Sequence, residues 1–222
     1  EAIKVNPKLE LKNFLTYDSS KISWTRALEW DVEKGKEYIF NDNNFAIGQY
    51  RPFFKRHLYF ARELNEMVYQ MPKLFPTPTT ENRVICVSGT NTGLSVLMAD
   101  CVPDLHFNGD TQSFPLYYYE ERAKAAPSLF DAAHENEHIR RDGVSDFILA
   151  QARSRYGERV TKEDIFYYVY GFLHSPDYRS RFSSDLKKML PRLPLVESPR
   201  DFWAFSKAGR LLADLHLGYD NF

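Results

Sequence analysis

Apolar and polar positions follow two different periods along this chain. Between Ser19 and Lys34, Ile22, Ala27, Leu28 and Val32 recur at helical spacing, with Ser19 or Ser20 as the cap and Gly35 as the stop. Tyr38–Phe40, Phe45–Ile47 and Phe53–Phe60 then read as strands, and the asparagines between Asn41 and Asn44 as a turn. Ala61–Gln70 predicts a short helix stopped by Pro72, and Pro76 and Pro78 predict a loop. Arg83–Val87, Ser95–Ala99 and Phe114–Tyr119 are β-branched, apolar or aromatic, hence strands, with a polar loop Ser88–Gly93 between the first two. A charged connector, Glu120–Asp142, follows, and everything beyond it is helical.

The helical segments carry their own punctuation. Val144–Tyr156 is stopped by Gly157, and Thr161 caps Thr161–His174 with Asp164 in the capping-box position. Ser175-Pro176 opens Asp177–Leu190, which Pro191 and Pro194 end, and Pro199 starts Pro199–Leu217. The expected fold is α+β. A sheet-containing half spans residues 1–135, and a helical half, 136–222, packs on it, either as a separate part or as one continuous domain.

Composition narrows this. The chain has 222 residues, of which 43% are hydrophobic and 27% charged, the signature of a globular protein. Phe 17, Tyr 14 and Trp 3 raise the aromatic share to 15%. Lys+Arg 29 against Asp+Glu 30 leaves a net charge of −1, which excludes a polycationic tail but not a local basic face. No apolar run approaches the roughly 20 residues of a membrane helix, so a soluble chain without a membrane partner is expected. Glu1 to Glu10 lack a signal-peptide core, and the absence of an initiator Met predicts a piece of a longer protein. Cys86 and Cys101 lie in apolar runs, as reduced thiols of a cytoplasmic protein would.

Catalytic chemistry is sparse. His134-Glu135-Asn136-Glu137-His138 spells H-E-x-x-H, which on a helix would place two imidazoles on one face for zinc, with Glu135 as base. Against that hydrolase reading stand the polar middle pair, the charged flanks, and Arg141 and Val144 where the extended motif needs Gly and His. Ser88-Gly89-Thr90-Asn91-Thr92-Gly93 has the composition of a phosphate cradle but lacks the Lys-Ser/Thr ending of a P-loop. A tight inter-strand loop is the favoured reading, and a loop whose backbone N–H groups and small hydroxyls touch a ligand or DNA is the other. No G-x-S-x-G or Cys/His pairing is present, so no catalytic residue is assigned.

The basic positions are more informative. Tyr50-Arg51-Pro52-Phe53-Phe54-Lys55-Arg56-His57-Leu58-Tyr59 interleaves bases with rings, a pattern suited to phosphate contact or to a strand with one wet face. A second cluster, Arg179, Arg181, Lys187, Lys188 and Arg192, fits a backbone-tracking helix or a solvated face.

Several stretches together resemble the C-terminal specificity domain of Type ISP single-chain restriction-modification enzymes. They are YRPFFKRHLY (50–59), VICVSG (84–89), DCVPDLHFNGDTQSFPLYYY (100–119), TKEDIFYYVYGFLHSPDYRSR (161–181), DLKKMLPRLP (185–194) and the segment 202–217. Phe54 departs from the family run, which carries an acid there. The resemblance implies a domain that reads duplex DNA beside an adenine-N6 methyltransferase domain and a helicase-like domain of the same polypeptide. The target adenine would be flipped into a pocket outside this chain. S-adenosylmethionine, ATP and magnesium would belong to those other domains, and a docking scaffold without base readout is the alternative. Chemistry alone nominates the contacts. Arg51, Lys55 and Arg56 suit phosphate or guanine, Asn91 and Gln112 suit adenine, and Thr90 or Thr92 suits a thymine methyl. Arg179, Arg181 and Lys187 suit the backbone.

Overall fold

A computed structural model of the chain describes residues 15–18, 20, 23–89, 93–122 and 138–221. The chain divides into two units, residues 1–45 with 59–69 and residues 46–58 with 70–222.

In the first unit, helix α1 spans Arg26–Glu33. It starts later than its apolar spacing predicts because Thr25 takes the cap, accepting from the Leu28 amide, while Trp24 spends its indole N–H on the Thr16 carbonyl. Gly35 reverses the chain at φ 66°. Tyr38–Phe40, expected as a strand, has no ladder partner among the described residues. Tyr38 is held by Asp31 at 2.6 Å, and Phe40 stacks on Tyr59 with ring centroids 5.5 Å apart. The asparagine run forms a 3₁₀ turn, Asp42–Asn44, capped by the Asn41 side chain. The expected helix 61–70 shrinks to a 3₁₀ turn, Arg62–Leu64. Asn65 ends it by donating its amide to the Tyr59 and Ala61 carbonyls.

The second unit begins with most of a hairpin, β1 (Phe45–Arg51) and β2 (Phe54–Tyr59), turned at Pro52-Phe53 with Phe53 at φ 57°. Helix α2 is Met71–Leu74, with Pro72 in its first turn, so the expected breaker is a starter. Strand β3 (Val84–Val87), buried at every position, is the centre of a three-stranded antiparallel sheet between β4 (Val96–Ala99) and β6 (Gln112–Pro115). β5 (Val102–Pro103) runs parallel to β1. The run 114–119 is two strands, because the buried Leu116 leaves the ladder to bond with Arg83 and Gly143. β7 (Tyr117–Glu121) then pairs with β8 (His138–Asp142), a strand inside the charged connector. Its charges are cross-strand partners: Arg141 meets Glu120 at 3.0 Å and Arg140 covers the Tyr117 ring.

The helices α3 (Asp146–Tyr156), α4 (Lys162–Leu173), α5 (Pro176–Arg181) and α6 (Pro199–Leu217) follow. Thr161 and Asp164 form the expected capping box. α5 ends at Arg181, nine residues before the expected Leu190; Ser183-Ser184 favour turns, and Leu186 still reaches the core. α4 buries eight of its twelve residues. It crosses α6 where Gly171 and Gly209 let the two backbones approach; a Cβ on Gly209 would lie 2.8 Å from the Gly171 nitrogen.

The aromatic excess is explained by this core. Tyr156 and Tyr168 stack on Phe202 at 4.2 and 5.0 Å. Their hydroxyls, with that of Tyr178, donate to the carbonyls of Val196, Pro194 and Arg192, which pins the irregular segment before α6. Ile85, Val87, Val96 and Met98 belong to the same cluster, so one core joins strands before residue 136 to helices after it. Among the described residues, no helix is long and apolar enough to cross a membrane.

Candidate nucleic-acid interface

The β1–β2 hairpin gathers Arg51, Lys55 and Arg56, and its geometry sorts them. Short β5 is flanked by two carboxylates, Asp100 and Asp104, and its pairing with β1 carries both to the hairpin. Arg51 Nη1 sits 2.8 Å from Asp104 Oδ1 and also donates to the Tyr50 carbonyl. Lys55 Nζ lies 3.0 and 3.3 Å from the two oxygens of Asp100. Burial opposes the Lys55 charge, but the hydrogen bond and charge of Asp100 outweigh it and raise its pKa. Buried Gln49 closes the base of the hairpin. Its side chain donates to the Arg51 carbonyl and its own carbonyl accepts from the Asp104 amide.

Arg56 is different. Its side chain is exposed, and among the described residues no carboxylate reaches ion-pair distance. Its guanidinium lies 5.4 Å from the Tyr50 ring and 5.9 Å from the Phe54 ring, two rings set edge to face. Phe54 thus supports the guanidinium by its ring. Tyr50, Phe53 and Phe54 are 39, 49 and 52% exposed, an outlay of apolar surface at the tip of one hairpin. Phe53 packs edge-on against His216 and Tyr219 at the end of α6, at 6.0 and 5.3 Å.

The remaining candidates lie elsewhere in the unit. Gln112 is exposed and pairs with Val87 at the end of the β4–β3–β6 sheet, beside the Ser88–Gly93 loop. Ser88 closes that loop on the Gly93 carbonyl at 2.7 Å. Thr90, Asn91 and Thr92 fall outside the described residues. Arg179 is half-buried and gives its Nε to the Leu173 carbonyl at 2.7 Å, a bond that completes the end of α4. Arg181 and Lys187 are exposed, the former over the Phe182 ring.

A cleft of about 930 Å³ is lined in part by Arg83, Arg210 and the Tyr167 ring. Arg83 and Arg210 lie over that ring at 5.6 and 4.3 Å, and each is tied to acids, Arg83 to Asp214 and Arg210 to Asp164 and Glu163. Its guanidinium charge is therefore compensated within the protein. His134 and Glu135 of the H-E-x-x-H run lie outside the described residues, while His138 opens strand β8 instead of completing a helix. Among the described residues, no group of three or more His, Cys, Asp or Glu is placed to hold a metal ion. Cys86 and Cys101 are free thiols, each pushed up to about 12 by burial.

Sequence reasoning finds the basic run but misses its counter-charges. The available signal was D-C-V-P-D, a strand-like pair between two acids; its register with β1 needs the tertiary pairing. The cleft and the docking of Phe53 join residues more than 80 positions apart and leave no local trace.

Comparison with curated proteins gave no match. Solved structures gave several. The Type ISP restriction-modification enzyme LlaBIII bound to DNA matches with a TM-score of 0.74 and 32% identity over 90% of this chain. A DrdV–DNA complex matches with 0.78 and 32% over 96%. A nuclease-deletion mutant of the Type ISP enzyme LlaGI, in complex with a DNA substrate mimic, matches with 0.70 and 32% over 96%. The chain spans only 12, 20 and 15% of those three chains. The family described as the Type ISP C-terminal specificity domain matches residues 3–221, and the chain belongs to that family.

Proposed function

We propose that this domain recognises a target sequence in duplex DNA for a restriction-modification enzyme, and that the β1–β2 hairpin is one of its DNA contacts. The observation that carries the second part is the sorting of the three hairpin bases. Arg51 and Lys55 are neutralised by Asp104 and Asp100, while Arg56 presents on a Tyr50–Phe54 base a guanidinium with no carboxylate partner among the described residues. A cation held over rings keeps its five donors outward in a fixed orientation, which suits a phosphate or a guanine edge. The described structures of LlaBIII, DrdV and LlaGI with DNA support the nucleic-acid reading.

In this reading the domain contributes no catalytic group. Methyl transfer to adenine, DNA cleavage and ATP-driven translocation, with S-adenosylmethionine, ATP and magnesium, belong to other domains of a cytoplasmic parent polypeptide. Arg56→Ala in the full enzyme weakens duplex binding, and the slope of log affinity against log salt falls by about one. Unchanged binding and slope would remove Arg56 from the interface. Exchanging residues 46–222 with those of a relative of different specificity transfers the methylated sequence, read by sequencing modified adenines; an unchanged target after exchange refutes recognition by this domain.

A further inference from the structure

We infer that the C-terminal end of α6 is a docking post for the recognition hairpin, and that Phe53 is a positioning residue acting through it on Arg56. The inference rests on the hairpin reading above and adds to it the element that sets the hairpin's orientation.

The hairpin tip is built to reach something. Phe53 occupies the left-handed region at φ 57°, a conformation a bulky non-glycine side chain adopts only when its surroundings compensate. The turn throws its ring to His216 and Tyr219, both met edge to face, at 6.0 and 5.3 Å. His216 is itself fixed from behind. Its Nδ1 meets the hydroxyl of buried Tyr170, and its ring faces those of Tyr170 and His174. The Tyr219 side of the post lies in the 3₁₀ turn Tyr219–Asn221, whose Asn221 amide bonds the Gly218 carbonyl. The post is thus anchored in the helical core, while the hairpin it receives is joined at its base to β5 through the ladder at Gly48 and Gln49 and nearer its tip by the partly exposed Arg51–Asp104 and Lys55–Asp100 pairs. Partly exposed ion pairs fix orientation weakly. The Phe53 contact ties the turn itself to the helical core, and Arg56 stands three residues from it.

A guanidinium that must meet a phosphate or a base edge loses much of its contribution through an ångström of misplacement, so loosening the tip reads out as lost DNA affinity. Two measurements on the full enzyme test this. In the first, amide hydrogen exchange over residues 50–58 is compared between wild type, Phe53→Ala and Tyr219→Ala. Both variants are expected to speed exchange in the hairpin while leaving α4 protected. Unchanged hairpin protection in both overturns the docking, whatever DNA binding shows. In the second, a double-mutant cycle on duplex binding pairs each of these variants with Arg56→Ala. Each single variant is expected to weaken binding about fivefold, to add no further loss in the Arg56→Ala background, and Phe53→Tyr is expected to restore binding. Losses that add to that of Arg56→Ala would make Phe53 a contact in its own right and overturn the positioning role. An effect of Phe53→Ala with a silent Arg56→Ala would sink the Arg56 reading and, with it, the transmission claimed here, while the exchange result still decides the docking.

Discussion

Gly209→Ala separates two forces that act in opposite directions. By local propensity alone, alanine in a helix interior is better than glycine by about 1 kcal/mol, so α6 should gain stability. The crossing with α4 says otherwise. A Cβ at residue 209 would stand 2.8 Å from the Gly171 nitrogen and 2.9 Å from the Tyr167 carbonyl carbon, against an ordinary contact of 3.4 Å or more. Both are backbone atoms, so no rotamer change relieves the overlap and the helices must part by more than half an ångström. That separation loosens the rings packed around the crossing, among them Tyr167, Tyr168 and Phe202. Overpacking of this kind costs about 3 kcal/mol at the upper end, leaving a net loss of about 2 kcal/mol. For a chain of this size that lowers Tm by about 4–8 °C. Urea unfolding monitored by circular dichroism, with the exposed Lys207→Ala as control, measures it. A variant as stable as wild type or more so would show that the close approach is not a packing constraint. Gly171→Ala acts on the same crossing, so the double variant should lose less than the sum of the two.

Other expectations follow from particular contacts. Burial, and for His216 also the neighbouring His174, holds both imidazoles below their ordinary pKa of 6.5. The unfolded chain therefore binds these protons first, so stability is full above pH 6.5 and falls as the pH drops below it, before the lowered carboxylates of Asp146 and Asp164 titrate. A urea midpoint equal at pH 7.5 and 5 would contradict this. Thr161→Ala removes the capping hydroxyl of α4 and should cost about 1 kcal/mol in the same assay, whereas Thr161→Ser should cost little. Asp100→Asn leaves the Lys55 ammonium half-buried without its counter-charge and should lower the midpoint by an amount equivalent to about 1 kcal/mol, discounted for its exposure; Asp100→Glu should recover part of it. Cys86, fully buried and with its thiol pushed up to about 12, should resist alkylation at pH 8 until urea unfolds the chain; rapid labelling in the native state would contradict its placement.

What the sequence determined by itself lies in its short-range chemistry. Caps and prolines act within a few residues, so the starts of α4 at Thr161 and of α6 at Pro199 are legible from the order of residues alone. The four-residue apolar run of β3 announces a buried strand. The interleaving of bases and rings between Tyr50 and Tyr59 singles out the hairpin. What the tertiary structure decided is which partner each residue keeps. Tyr38–Phe40 has strand composition but no neighbouring strand among the described residues, whereas the charged residues 138–142 have one in β7 and become a strand. The same holds at the site. Arg51, Lys55 and Arg56 are alike in sequence, and the arrival of Asp100 and Asp104 beside the first two leaves the third without an acidic partner among the described residues. A side chain's chemistry is carried in its type, but its net charge toward the outside is fixed by neighbours that folding brings from some 50 residues away.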